Sequence, residues 1–260
     1  MSILPSRSGN AVGPNVLTTT DRSPLRERWG GWYVTGTHGD QIHRGNMMVG
    51  GSPEANAAAM KRSRRANVTD LTDRFDTKAY LTRHSDIIAL SLLAHQSEVH
   101  NLIGEASHAI RIAVRRETVT TQDKGPSRQT MAIVTQMIEP LLRALLLSDS
   151  APLNATITGS SDFASEFVAR GPFDSRGRSL RDLDLDGKIL RYPLSYLIYS
   201  NGFDGMPELA RDYAYRRLRK ILGGEDTSPE WDYISDADRV AVTEILKDTK
   251  PDFAASSTTR

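Results

Sequence analysis

The sequence contains no cysteine. That excludes disulfides, thiolate metal centres and thioether-linked haem within these residues. Long apolar runs are missing too. No stretch approaches the roughly 20 residues that a membrane-spanning helix needs, so no membrane span is expected. Neither sign of charge dominates: 33 basic against 32 acidic residues leave a formal net charge of +1. Such a balance provides no general field to gather nucleic acid or an anionic membrane. The basic cluster "KRSRR" at 61–65 reads as a solvated helix face. The first residues, "MSILPSRSGNAVGPN", lack the basic start and apolar stretch of a signal peptide, so no export signal is expected in the chain as written. Catalytic signatures are also absent. There is no G-x-S-x-G and no H-E-x-x-H, and "GGWYVTG" lacks the spacing of a phosphate-cradling loop. "DLDLDGK" at 182–188 imitates the opening of a calcium loop, but the position that should carry the bidentate Glu holds Pro193.

The pattern that remains is helical. Residues 1–27 are rich in Ser, Thr, Gly and Pro without a period, and read as an extended lead-in. A Trp/Gly/His segment follows at 28–52, a structured loop with a short strand expected at Trp32–Thr35. Residues 53–66 suit a helix with Pro53 in its first turn. A long helix is expected from Ser85 or Asp86 to about Arg116, on the periodicity of Ile88, Leu92, Val99, Leu102, Ile103, Ala106 and Ile110. A second runs from about Ser127 to Leu147, with a kink or break at Pro140. Short connections make the two antiparallel neighbours. A short helix follows Ser161 or Asp162, and "YPLSYLIYS" reads either as a strand or as a short buried helix. Helices starting near Pro207 and Ser235 complete the pattern, the latter stopped by Pro251. The expectation is a mainly α fold with two long packed helices, long structured loops and little or no sheet. It forms one domain over 28–250, with a disordered tail at 251–260.

The chemistry-bearing residues concentrate in "RWGGWYVTGTHGDQIHRGN", residues 28–46. Glycine belongs where the backbone turns unusually or is approached closely, and tryptophan where a large flat surface is needed. All six histidines lie between 38 and 108. At about 100° per residue, His95 falls in the middle of the apolar stripe of the first long helix. It is therefore either a core histidine satisfied by a polar partner, or a ligand or catalytic imidazole. His38 and His43 either anchor the loop through hydrogen bonds or ligate one metal with help from elsewhere, such as Asp40. His95 is expected to be buried, to contact the segment Trp29–Asn46, and to lie near His38 or His43.

Several strings resemble a family. "ERWGGWYVTGTHG" with "HRGN", "HSDIIALSLLAHQSEVHNLI", "RGPFDSRGRSLRDLDL" and "RYPLSYLIYSNGFDGMP" are similar to the C-terminal region of bacterial exported proteins that carry a cytochrome-c domain. The resemblance covers roughly residues 20–250. It implies a haem-associated, periplasmic electron-transfer protein with a redox or protein partner. In that family the C-x-x-C-H haem-attachment motif lies upstream of the matching part, and it is absent here. The resemblance also implies a role for the loop, which would pack over a haem edge. Trp29, Trp32 and Tyr33 would supply the apolar wall; on chemistry alone, with no ligand carried over from the family, His38, His43 and His95 are the candidate axial or metal ligands. Two other readings stand beside it. One is a structural or binding helical domain without a cofactor. The other is a metal-dependent hydrolase using the loop histidines with Asp40 or Glu98. No catalytic residue is assigned.

Overall fold

The computed structural model describes residues 19–47, 52–63, 66–120 and 125–255. Among them are eight α-helices: α1 (Pro53–Ser63), α2 (Ile87–Thr120), α3 (Arg128–Leu146), α4 (Phe163–Ala169), α5 (Asn201–Asp204), α6 (Glu208–Leu222), α7 (Asp236–Thr249) and α8 (Pro251–Ala255). No strand forms among these residues. There are only two isolated bridges, Thr35 with Asp86 and Thr37 with Thr158. The fold is mainly α. Among the described residues no helix is long and apolar enough to cross a membrane.

The residues expected to form one domain fall into two compact units. The first takes the residues up to His95, Ser150–Arg170 and Leu183–Ile189; the second takes Gln96–Asp149, Gly171–Asp182 and the residues from Leu190 onward. Helix α2 contributes to both.

In the second unit the core is helix on helix. Along α3, Val134, Ile138, Leu141, Leu142, Leu145 and Leu146 are fully buried, at the three- and four-residue spacing of one helical face. The buried stripe of α6 begins with Ala210 and Ala214 and continues through Leu218, Ile221 and Leu222. Two alanines four apart let α3 and α6 approach closely, and α6 is the closest helical partner of α3. A polar network locks the same pair: Arg217 donates to Glu139 at 2.7 Å and pairs with Asp226 at 2.9 Å, while the Tyr213 hydroxyl also donates to Glu139 at 2.7 Å. The two long helices therefore both form where periodicity placed them, but the main packing partner of α3 comes from much later in the chain. Helices α2 and α3 meet at their hairpin end, where Glu117 accepts from Ser127 and Thr130.

Pro140 does not break α3. It lies on the exposed face, as does Gln136, whose carbonyl loses its helical donor. Water can replace that bond there, so the helix stays continuous. Leu147 ends α3 in the left-handed region at φ 64°, with its N–H and that of Ser148 returning to the last turn.

The remaining expectations divide cleanly. Ser235 caps α7 by accepting from Asp238 N–H, and Gly223 closes α6. "YPLSYLIYS" takes the helical alternative: a 3-10 turn at Tyr196–Tyr199, capped by Ser195. Three expectations need correction. Pro251 opens a new helix rather than a disordered tail, because proline fits a first helical turn and Phe253 buries itself against Tyr215, with ring centroids 5.8 Å apart. Residues 256–260 lie outside the described residues, as do 1–18 of the lead-in. Its remainder is not extended: Leu25–Glu27 form a 3-10 turn with Leu25 buried. The strand expected at Trp32–Thr35 reduces to the single bridge at Thr35.

Replacing Pro140 by Ala restores the lost N–H donor at an exposed position. We expect Pro140→Ala to raise the unfolding free energy by about 1–3 kcal/mol in urea titration. An unchanged or lower value would mean that Pro140 contributes packing that its exposure does not reveal.

Candidate functional site

The site is built in the first unit from segments with little regular structure, so hydrogen bonds must do what a sheet would otherwise do. Thr35 N–H donates to Ser85 C=O at 2.7 Å, and Ile87 N–H returns to Thr35 C=O at 2.8 Å. Thr37 and Thr158 exchange both backbone bonds at 2.9 Å, and Gly36 N–H donates to Val68 C=O at 2.7 Å. Three consecutive loop residues thus bind three separate chain segments. Gly36 has φ +133°, and a Cβ there would stand 2.6 Å from both Ile87 Cγ2 and Thr158 O. Only glycine fits that crossing.

Asp86 stands at its centre. One carboxylate oxygen caps α2, accepting from Ile88 N–H at 2.8 Å and Ala89 N–H at 3.4 Å. The other accepts from the N–H groups of Ser160 and Ser161, at 2.8 and 3.0 Å, and from the Ser161 hydroxyl at 2.7 Å. Gly159 packs so closely that a Cβ would lie 2.6 Å from the second oxygen. Thr35, fully buried, joins the cluster through its hydroxyl, which accepts from Ser85 N–H and bonds the Ser160 hydroxyl at 2.6 Å.

The Trp/Gly/His loop closes on itself. The Asn46 side-chain amide pairs with both backbone groups of Val34, accepting at 2.8 Å and donating at 2.7 Å, as a neighbouring strand would. Asn46 N–H also donates to Trp32 C=O at 2.9 Å. Gly45 packs against Val34 and the His43 ring, leaving no room for a side chain. The Gln41 amide clamps the loop to the segment at 154–155, donating to Ala155 C=O at 2.7 Å and accepting from Asn154 N–H at 2.8 Å.

The expected site residues are distributed as follows. His38 and His43 are both buried, with ring centroids 4.8 Å apart in an edge-to-face contact. Trp29, also buried, meets His43 edge-on at 5.6 Å. The ring nitrogens of His38 face the carbonyls of Gln41 and Ala66, at 2.7 and 3.2 Å. His43 Nδ1 accepts from Gly45 N–H at 2.9 Å, which puts the ring proton on Nε2. Tyr33 leaves this group and packs at a tilt against Phe75, with ring centroids 5.1 Å apart. Trp32 is half exposed, and Asp40 is exposed.

His95 is buried, as its place in the apolar stripe predicts. One polar partner lies outside Trp29–Asn46. His95 Nδ1 donates to Asp21 Oδ2 at 2.7 Å, and Asp21 belongs to the segment read as a featureless lead-in. The same carboxylate oxygen accepts from the Ser150 hydroxyl at 2.8 Å. The backbone carbonyl of Asp21 accepts from the buried Arg28 guanidinium at 2.6 Å and from Ala151 N–H at 2.9 Å. Burial pushes the Arg28 pKa down, and the Asp21 charge acts against that shift. His95 is thus tied through Asp21 to Arg28, the residue that precedes Trp29.

Among the described residues no three His, Cys, Asp or Glu side chains are grouped to hold a metal ion. Neither nitrogen of His38 is turned toward an open coordination position, and Trp32 gives no buried wall. Asp21, Gln41, Asn46 and Asp86 organise the site, and none of them stood out in the sequence. The only available signals were the turn-forming "TDRSP" for Asp21 and the helix-start position of Asp86.

Compared with protein-family models, curated proteins and solved structures, the chain matches none of them.

Two outcomes follow from this geometry. Asp86→Ala should lower stability by at least about 3 kcal/mol, because it uncaps α2 and strands buried N–H groups. Retention of the parent melting temperature would show that the cluster is not stabilising. In a double-mutant cycle of Asp21→Ala and His95→Ala, each single change should cost about 1–3 kcal/mol, with a coupling above about 0.5 kcal/mol. Additive effects would mean that the pair is not energetically linked.

Proposed function

We propose that the chain is a non-catalytic helical module, structural or partner-binding, whose Trp/Gly/His loop is a clamp rather than a cofactor pocket. One observation carries this reading. The polar side chains of the loop are committed to the backbone around them: His38 to two carbonyls, His43 to Gly45 N–H, Gln41 to 154–155, and Asn46 to Val34. A cofactor site keeps donors or ligands aimed at the space that the cofactor fills. Here the imidazoles are aimed at peptide groups. The exposed Trp32, Tyr80 and Leu81 supply apolar surface of the kind enriched at protein interfaces.

The resemblance to exported cytochrome-c-domain proteins supports a second reading. In it, the module belongs to a periplasmic electron-transfer protein, and haem is carried on an upstream segment. The buried group of Trp29, His38 and His43 is the feature that favours it. The hydrolase reading has less support, since Asp40 is exposed and no three ligating side chains are grouped among the described residues.

Titration of the purified chain with haemin and with Zn²⁺ separates these readings. The clamp predicts no saturable one-to-one Soret shift and no stoichiometric zinc binding. A stoichiometric Soret band that His43→Ala or His95→Ala abolishes would overturn the proposal in favour of the haem reading.

A further inference from the structure

The second unit carries a trough that the clamp does not use. It runs between α2 and α3 next to their hairpin end, measures about 660 Å³ and is open along one side. Its lining comes from 108–109, 112–113 and 116–117 on α2, and from 129–130, 133 and 136–137 on α3. Each set recurs at the three- and four-residue spacing of a single helical face. At 1.5 Å per residue the lined stretch of α2 is about 14 Å long, between two and three helical turns.

The floor is apolar and incompletely covered. Ala109, Ala113, Ile133 and Met137 line it, and Ile112 beside them keeps 37% of its surface exposed. The main packing partner of α3 is α6, so its other side is not closed against α2 along this stretch. Helices approach to about 8–10 Å, nearest where the contact residues are small. Ala109 and Ala113, four residues apart, give α2 such a surface. Met137 is unbranched and adapts to whatever lies on it.

The charge beside the floor is mainly of one sign. Arg111 and Arg115 flank Ile112 on α2, and Arg128 stands beside Gln129 at the start of α3; all three are exposed. Arg111 donates to the Gly205 carbonyl, a neutral partner that leaves its charge in place. Between 104 and 137 the described residues carry only two carboxylates, Glu105 and Glu117. Glu117 is engaged inside the hairpin, accepting from Ser127 N–H and the Thr130 hydroxyl.

We infer that this trough docks an amphipathic helix of a partner protein, its apolar face on Ala109, Ile112, Ala113, Ile133 and Met137 and carboxylates on its flanks facing Arg115 and Arg128. A helix with apolar anchors at i, i+4 and i+7 matches the length and straightness of a floor built from two helical faces. The basic flanks are complementary to acidic ones. A small molecule fits less well, because ligand pockets enclose most of their occupant and this trough is open along its length. Nothing here rests on the clamp, which belongs to the first unit.

Fluorescence anisotropy of the full chain with two labelled synthetic helices tests it. Both carry Leu and Ala on one face and the same hydrocarbon staple; the remaining positions are Glu in one and Lys in the other. The Glu helix should bind saturably and one to one, at least about tenfold more tightly than the Lys helix. Ile112→Glu puts a carboxylate on the floor at a position that is already partly exposed. It should weaken the Glu helix at least about tenfold and leave the melting temperature near that of the parent. Replacing both Arg115 and Arg128 by Glu should reverse the preference in favour of the Lys helix. Equal binding of the two helices, non-saturable binding, or unchanged binding by Ile112→Glu would each overturn the inference. So would concentration-dependent self-association that Ile112→Glu abolishes, since the trough would then hold a second copy of this chain. Should Ile112→Glu fail to fold, the double replacement at exposed Arg115 and Arg128 decides the matter.

Discussion

The first unit depends on the buried carboxylate of Asp86. Its two oxygens accept five hydrogen bonds from two segments separated by some seventy residues: the first turn of α2, and Ser160 with Ser161. A carboxylate can do this because it only accepts and has several lone-pair directions. Each donor it satisfies would otherwise be a buried, unpaired group costing about 1–3 kcal/mol. The backbone pairing of Thr35 with Ser85 and Ile87 brings the loop to the same place. Removing the carboxylate therefore affects three segments at once.

Around that point the unit substitutes side-chain hydrogen bonds for sheet. Asn46 imitates a strand partner for Val34, Gln41 spans to 154–155, and Asp21 joins His95, Ser150, Arg28 and Ala151. Such a lattice has a cost in sequence freedom. Gly36, Gly45 and Gly159 are each crowded by a neighbour where a Cβ would go. The glycines admit close backbone approach, and the histidines satisfy backbone groups in places that water does not reach.

The second unit is held by different means. Its helices bury periodic apolar faces, and small residues on α6 allow close approach of α3. Polar networks such as Arg217 with Glu139 and Asp226 sit at the margin of the packed face rather than at its centre. Hydrophobic area, which is non-directional, carries most of this unit, whereas directional bonds carry the first.

That contrast explains what was legible in the residues alone. The helices α2, α3, α6 and α7 were readable because periodicity, caps and breakers are local: Ser235, Pro207 and Gly223 act within one turn of where they stand. The burial of His95 was readable for the same reason. Its partner was not, because nothing in local sequence couples Asp21 to a residue seventy-four positions away. The packing of α3 on α6 was hidden likewise, since a periodic face states that a partner exists without naming it. The continuity of α3 through Pro140 depended on which face meets solvent, and the order of Pro251–Ala255 depended on a pocket for Phe253. Sequence determined the helical class and the apolar faces, because these follow from spacing along one chain segment. Tertiary structure decided the use of the histidines, because whether an imidazole meets a carbonyl, a carboxylate or open space is settled only by the distant segments folded around it.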